Sequence, residues 1–300
     1  MFPKNENEFI KFVEDINSEL QKRDVPIHYR PLHALREAAL RLRTNINDAR
    51  RCMPLPGDYS GDSLSGHIEA WYELTYGNRL NMGLSPGSVA ILIRGDVWKV
   101  RLPLTYGTFE FYCDPFEEHE GALPPESRRA NALLCIEDFT PELSSRLSGE
   151  ERREIARFFA LALQATRWLL DVQSAPYIPE ARANLEMAVA NLFLSRPIYG
   201  ESKWASLQFT EKLFKCFLTL KEIPFEKSGK KGHDLALLAS LSAKGGLRAI
   251  KPEFINDIQC PADVRYGDVA VDLSEAIRAH HSSLLVCSIV CSSLKSTMGG

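Results

Sequence analysis

One histidine in a basic segment has surroundings that suggest chemistry. His233 lies in the tripeptide Gly232-His233-Asp234 and follows the basic run KSGKK at residues 227–231. An imidazole exchanges its proton near neutral pH, and neighbouring lysines favour a phosphate group. The alternative is structural: Asp234 caps the helix that begins after it, and His233 braces the turn. From the sequence alone we favour the structural interpretation.

Two lysines form a second candidate set. Together with Glu211 and Glu222, Lys212 and Lys215 supply charges at helical spacing. A groove between helices can use Lys215 to hold an anion. Charges at this spacing more commonly form a solvated helix face. The lysines therefore matter for function only if they converge on His233 in space.

The dipeptide Arg265-Tyr266 is a third candidate. A guanidinium makes bidentate contacts with either a carboxylate or a phosphate, so Arg265 can serve as a polar anchor. The sequence is equally consistent with a structural salt bridge and with a ligand contact at Arg265.

A zinc site near the carboxyl end is the least supported candidate. His280, Cys287 and Cys291 share one side of a predicted helix, but Leu284 interrupts that face and no second helix supplies matching ligands. We predict buried thiols there instead, with no metal and no cofactor.

Composition limits the classes of protein that the chain can belong to. Its 300 residues are 45% hydrophobic and 25% charged, which is typical of globular chains and favours two domains. A net charge of -3 gives no general attraction to polyanions, so nucleic acid would need a local basic patch. The odd count of 7 cysteines without a Cys-x-x-Cys pair suits reduced thiols. The residues after Met1 are polar and the longest late apolar stretch, 284–291, is short, so we predict a cytoplasmic protein without membrane association.

The patterns along the chain predict an α+β fold, in which amino-terminal helices and a small antiparallel sheet precede a helical bundle. Two β-branched runs predict a hairpin over 88–103 that turns at Gly95-Asp96. Ser148 and Glu151 form a capping box that predicts the start of a long helix. The remaining predictions are helices at 9–20 and 32–51, strands at 67–74 and 108–112, and four helices after Pro179.

These elements predict three regions. Residues 1–125 would form an α+β domain, residues 126–176 a connector with the long helix 149–171, and residues 177–296 an antiparallel bundle.

The last four helices resemble the HEPN family of helical bundles. The similarity lies in the order and spacing of short segments, which are 205–215 with its EKLFK sequence, Gly232-His233-Asp234-Leu235 with Leu238, Val264-Arg265-Tyr266 and Glu275-Ala276-Ile277. The resemblance implies a bundle that binds a nucleotide or RNA, or forms a homodimer, in a defence, toxin–antitoxin or stress system. The corresponding ligand-binding residues are Lys212, Lys215, His233, Asp234, Arg265 and Tyr266.

Catalysis is less well supported by the resemblance. HEPN ribonucleases usually carry an arginine, four to six residues of any kind and a histidine. Here Arg278 is too close to His280 and His281, and His233 has no arginine at that offset. The leading hypothesis is therefore a binding protein without strong catalytic activity.

Two other functions remain open. One is a metal-independent ribonuclease that uses Arg278 with His280 or His281. The other is a dimeric scaffold whose amino-terminal domain recognises a protein partner. Histidines turned into the core would weaken the ribonuclease hypothesis, and histidines facing their counterparts across a dimer cleft would strengthen it.

Overall fold

The computed structural model describes residues 2–44, 52–80, 86–105, 109–116, 129–172, 174–227 and 229–298. Helices and small sheets make up the described part, which confirms the α+β class. The chain divides into two compact units, Met1–Gly83 and Leu84–Gly300. The predicted boundary at 125 differs from this division, because the hairpin packs with the helices of the carboxy-terminal unit. None of the described helices is both long and apolar enough to cross a membrane.

The described part of the amino-terminal unit contains three α-helices: α1 (Glu6–Lys22), α2 (Arg30–Leu42) and α3 (Gly61–Tyr76). The first helix confirms its prediction. The second ends nine residues earlier than predicted, where Arg43 adopts a left-handed conformation with φ of 52°, and residues 45–51 lie outside the described part.

The predicted strand at 67–74 is wrong, because these residues belong to α3. Leu64, Ile68 and Tyr72 are fully buried, and their spacing of four residues is the period of a helix face.

The predicted hairpin is present as β1 (Gly87–Ile93) and β2 (Asp96–Leu102), which pair antiparallel. Its turn lies one residue earlier than predicted. Asp96 pairs with Ile93, so the two loop residues are Arg94 and Gly95, with φ of 54° and 90°. Positive φ at both loop positions gives the type I′ turn that matches the strand twist.

A second sheet consists of β3 (Glu110–Tyr112) and β4 (Arg129–Asn131), which pair in parallel. The strand predicted at 108–112 is therefore found at 110–112, but it does not extend the hairpin sheet. Residues 106–108 and 117–128 lie outside the described part.

A short helix, α4 (Pro141–Ser145), precedes the long helix α5 (Gly149–Asp171). The predicted capping box is confirmed: Ser148 Oγ accepts from Glu151 N at 3.2 Å, and Ser148 N donates to Glu151 Oε2 at 2.7 Å. Arg94 also donates to this carboxylate, and these contacts lower the pKa of Glu151 to about 2. Helix α5 buries its apolar face in the core of the unit, so it is a core element as well as a link along the chain.

The rest of the carboxy-terminal unit is helical. Its helices are α6 (Ile178–Leu192), α7 (Tyr199–Leu220), α8 (Gly229–Gly232), α9 (Leu235–Lys244), α10 (Pro252–Ile258) and α11 (Leu273–Met298). Helix α7 lies at the centre, since α6, α9 and α11 all pack against it. Residues 213–218 are consecutively buried, as expected for a helix surrounded on all sides.

Candidate ligand site around His233

A buried carboxylate organises the site. Glu211 on α7 is 1% exposed, and its oxygens accept from Lys215 Nζ at 2.7 Å, His233 Nδ1 at 2.8 Å and Gln208 Nε2 at 3.2 Å. An isolated carboxylate in the interior would be strongly destabilising. Three donors stabilise the buried Glu211 carboxylate. Of these, Lys215 carries a positive charge and His233 can carry one.

Helical geometry and one glycine bring these groups together. Gln208, Glu211 and Lys215 lie on one face of α7 because they are separated by three and four residues. The chain then folds back over α7, and Lys227 O accepts from Lys215 Nζ at 3.0 Å. A Cβ on Gly232 would lie 2.9 Å from Glu226 O, so only glycine fits where the turn delivers His233.

His233 is the exposed end of this network. Its side chain is 51% exposed, and Nδ1 must carry the proton shared with Glu211 because an ionised carboxylate only accepts. Nε2 makes no hydrogen bond to any described residue. The buried carboxylate therefore fixes the imidazole and leaves its second nitrogen free to meet a ligand.

The capping role expected for Asp234 is present. Asp234 Oδ1 accepts from Leu237 N at 3.0 Å at the start of α9, and Gln259 Oε1 accepts from Leu235 N at 3.2 Å. Asp234 thus serves the helix, whereas the adjacent His233 contacts Glu211.

The two predicted lysines differ in what they offer. Lys215 is 4% exposed and neutralised by Glu211, so it supports the site from within and cannot touch a surface anion. Lys212 is partly buried, with Nζ 3.4 Å from Gln208 Oε1. Lys215 meets the condition set by the sequence, namely convergence on His233, because both side chains contact Glu211.

Arg265 and Tyr266 form a separate feature. Arg265 Nε lies 3.7 Å from Glu201 Oε1, and its guanidinium lies 5.5 Å from the ring centre of Trp204. Tyr266 is 73% exposed. No contact among the described residues connects this pair to His233, so the structure shows a salt bridge and a stacked cation here.

The three residues proposed for catalysis lie on α11 in different settings. His280 is fully buried, and its Nε2 accepts from Ala90 N at 3.1 Å, while His281 Nε2 donates to Ala90 O at 3.1 Å. Arg278 is exposed, with Nε 4.0 Å from Asp257 Oδ1. His280 is therefore turned into the core and His281 is partly buried beside it, which weakens the ribonuclease hypothesis for His280.

The hairpin explains why two histidines bind one residue. Ile93 and Asp96 close the two-residue loop, so Ala90 falls at a non-hydrogen-bonded position, and its N–H and C=O point away from β2. The two imidazoles satisfy these groups. Burial, with His281 nearby, lowers the pKa of His280 to about 3, and burial also lowers the pKa of His281.

Sequence reasoning missed the central role of Glu211. Little signal was available, because six of the 14 residues at 205–218 are polar or charged and Glu211 does not stand out among them. Among the described residues, no group of three or more His, Cys, Asp or Glu side chains is arranged to hold a metal.

Comparison with known proteins adds no relative to these observations. The chain matches no family model, and no curated protein or solved structure is significantly similar to it.

Proposed function

We propose that the carboxy-terminal unit binds RNA or a nucleotide through its phosphate groups beside His233. The observation that carries this proposal is the Glu211 network, in which a buried carboxylate holds a half-exposed imidazole with its Nε2 free. This support suits a ligand-binding imidazole, which benefits from a fixed ring and a fixed tautomer.

The local charge favours an anion despite the acidic chain. Lys227 and Lys231 are exposed on the segment that delivers His233, and Lys231 pairs at the surface with Glu226 at 3.4 Å. A few cationic side chains support a weak contact with phosphates that falls with salt concentration. The helix order that resembles HEPN proteins supports the same class of ligand.

Fluorescence anisotropy of a labelled single-stranded oligouridylate tests the proposal. His233→Gln and Lys231→Ala should each weaken binding by about threefold to tenfold, because each removes one phosphate partner. Lys244→Ala, which removes an exposed lysine at the far end of α9, is the matched control and should leave binding unchanged. Equal affinities for all four proteins would contradict the proposed site.

The resemblance also leads us to propose a homodimer formed through the bundle. Light scattering after gel filtration should then give twice the chain mass of 33.8 kDa. A strictly monomeric protein that binds neither RNA nor any nucleotide would remove the support for the HEPN-like function.

The geometry of His233 favours a second candidate, metal-independent cleavage of RNA. An imidazole whose Nδ1 is held by a carboxylate has its Nε2 free to accept a proton from the ribose 2′-hydroxyl as that oxygen attacks phosphorus. The P–O5′ bond then breaks, the departing 5′-oxygen takes a proton from water, and the chain is left with a 2′,3′-cyclic phosphate. Labelled RNA incubated with chelator should then yield cyclic phosphate ends, and His233→Gln should abolish them. Intact RNA at high protein concentration would contradict cleavage and leave the binding proposal standing.

A further inference from the structure

A cleft in the carboxy-terminal unit shares no lining residue with the His233 site. Its volume is about 660 Å³, and it lies between α5 and β3. This volume falls within the range of small-molecule sites in proteins. The cleft combines an aromatic wall with a polar wall.

The aromatic wall consists of Phe109, Phe111 and Tyr112. The ring centres of Phe109 and Phe111 lie 5.1 Å apart, and Phe111 packs against the buried Phe159 of α5 at 4.8 Å. Contact with a core ring fixes the orientation of the wall. Fixed, partly exposed aromatic rings favour a planar ligand, which stacks against them with little loss of side-chain freedom.

The polar wall is one face of α5. Gln164, Arg167 and Asp171 line the cleft at spacings of three and four residues, so they project to the same side. Ser288 Oγ donates to Gln164 Oε1 at 3.3 Å, which leaves the amide NH₂ of Gln164 to donate to a ligand. Neither Arg167 nor Asp171 forms an ion pair with any residue that the structure describes.

We propose that this cleft binds a small planar aromatic monoanion, with its ring on the aromatic wall and its acidic group on the Arg167 guanidinium. Arginine matches carboxylate and phosphate groups through paired N–H donors. Asp171, one helical turn from Arg167, repels ligands with several negative charges. The site therefore selects a singly charged aromatic acid over a nucleotide, and the inference does not depend on the function proposed for His233.

Indole-3-acetate is the probe, and calorimetry on the full chain is the measurement. The wild-type protein should bind it saturably. Arg167→Ala should weaken binding by about tenfold, the value of one charged hydrogen-bonded contact at a solvent-accessible site. Arg157→Ala, an exposed arginine of α5 outside the cleft, is the matched control and should change binding less than twofold.

Two further measurements sharpen the assignment. Phe109→Ala, which removes a ring that is not part of the buried core, should weaken the probe while leaving the circular dichroism melting curve unchanged. Decanoate, which has the charge but no ring, and AMP, which has the ring but a larger charge, should both bind more weakly than indole-3-acetate. No saturable binding, equal affinities of the Arg167 and Arg157 variants, or tighter binding of either competitor would overturn the proposal.

Discussion

Two histidine sites in the carboxy-terminal unit use the same side chain for opposite purposes. At His280 and His281, one buried and one partly buried imidazole satisfy the backbone of β1 at Ala90. At His233, a carboxylate enters the core and supports an imidazole that remains half-exposed. In the first site the imidazole of His280 is buried, and in the second the imidazole of His233 is accessible to solvent.

The buried partner of a histidine therefore indicates its role better than its neighbours in sequence do. A backbone edge gives the imidazole of His280 a structural task inside the core, where its Nδ1 is buried and has no hydrogen-bond partner among the described residues. A buried carboxylate leaves the second ring nitrogen unused. The sequence offered both the single His233 and the tandem His280-His281 as candidates, and the geometry favours the single residue.

The largest expected effect comes from breaking the buried carboxylate. Glu211→Ala leaves the Lys215 ammonium buried without its counter-ion, which should destabilise the unit by about 4 kcal/mol. Urea unfolding gives this quantity. Glu226→Ala removes the exposed partner of Lys231 and should cost less than about 0.5 kcal/mol.

A double variant separates the charge from the packing in this first test. Glu211→Leu with Lys215→Met replaces both ions with apolar groups and should recover most of the loss. A cost for Glu211→Ala as small as that of Glu226→Ala would show that the network does not support His233.

The second largest effect is expected at the other site. His280→Ala opens a cavity and leaves Ala90 N–H buried without an acceptor, so it should cost about 3 kcal/mol. The urea midpoint should fall, while His233→Gln, measured in parallel, should leave it nearly unchanged. Equal costs for the two variants would abolish the distinction between the sites.

Acid should lower the free energy of unfolding through the His280 site and not through the His233 site. This effect is smaller than those of the two substitutions above. The pKa of His280 is about 3 in the folded chain and near 6.5 when unfolded, so the unfolded state binds the extra proton first. The contribution of the neutral His280 to stability is therefore complete above about pH 6.5 and is lost as the pH falls toward 3. This group alone accounts for roughly 2 kcal/mol between about pH 7 and about pH 5.

Urea midpoints across this pH window provide the check. The lowered pKa of Glu151 places its own loss of stability at more acidic pH, so the histidines dominate here. The slope should flatten in His280→Ala and persist in His233→Gln. A slope unaffected by His280→Ala would contradict the buried neutral imidazole.

The smallest effect on stability is expected at His233. Its side chain is half-exposed, and a glutamine can still donate to Glu211, so His233→Gln should change the free energy of unfolding by no more than about 0.5 kcal/mol. A loss as large as that of His280→Ala would make His233 a structural residue.

Local patterns predicted the local elements well. The capping box at Ser148 placed the start of α5, and β-branched alternation placed the hairpin, because both signals depend on neighbouring residues. The predicted strand at 67–74 is wrong because the apolar residues of this segment continue a helical spacing that begins at Leu64, before the segment.

The sites were harder to predict because they depend on contacts distant in sequence. Ala90 and His280 are 190 residues apart, and nothing near His280 indicates that a strand edge will occupy its ring. Glu211 and His233 are 22 residues apart, and their contact depends on the turn at Gly232. The cleft beside α5 likewise joins strand and helix residues that no local pattern connects.

Modification of histidines by diethyl pyrocarbonate, followed by peptide mass spectrometry with and without single-stranded RNA, tests the central claim most directly. His233 should react in the free protein and be protected by saturating RNA, while the fully buried His280 should remain unmodified in both samples. His33, partly exposed in the amino-terminal unit, should react equally in both and serves as the control. Reaction of His233 that RNA does not slow, or reaction of His280 as fast as that of His233, would contradict the assignment of the two sites.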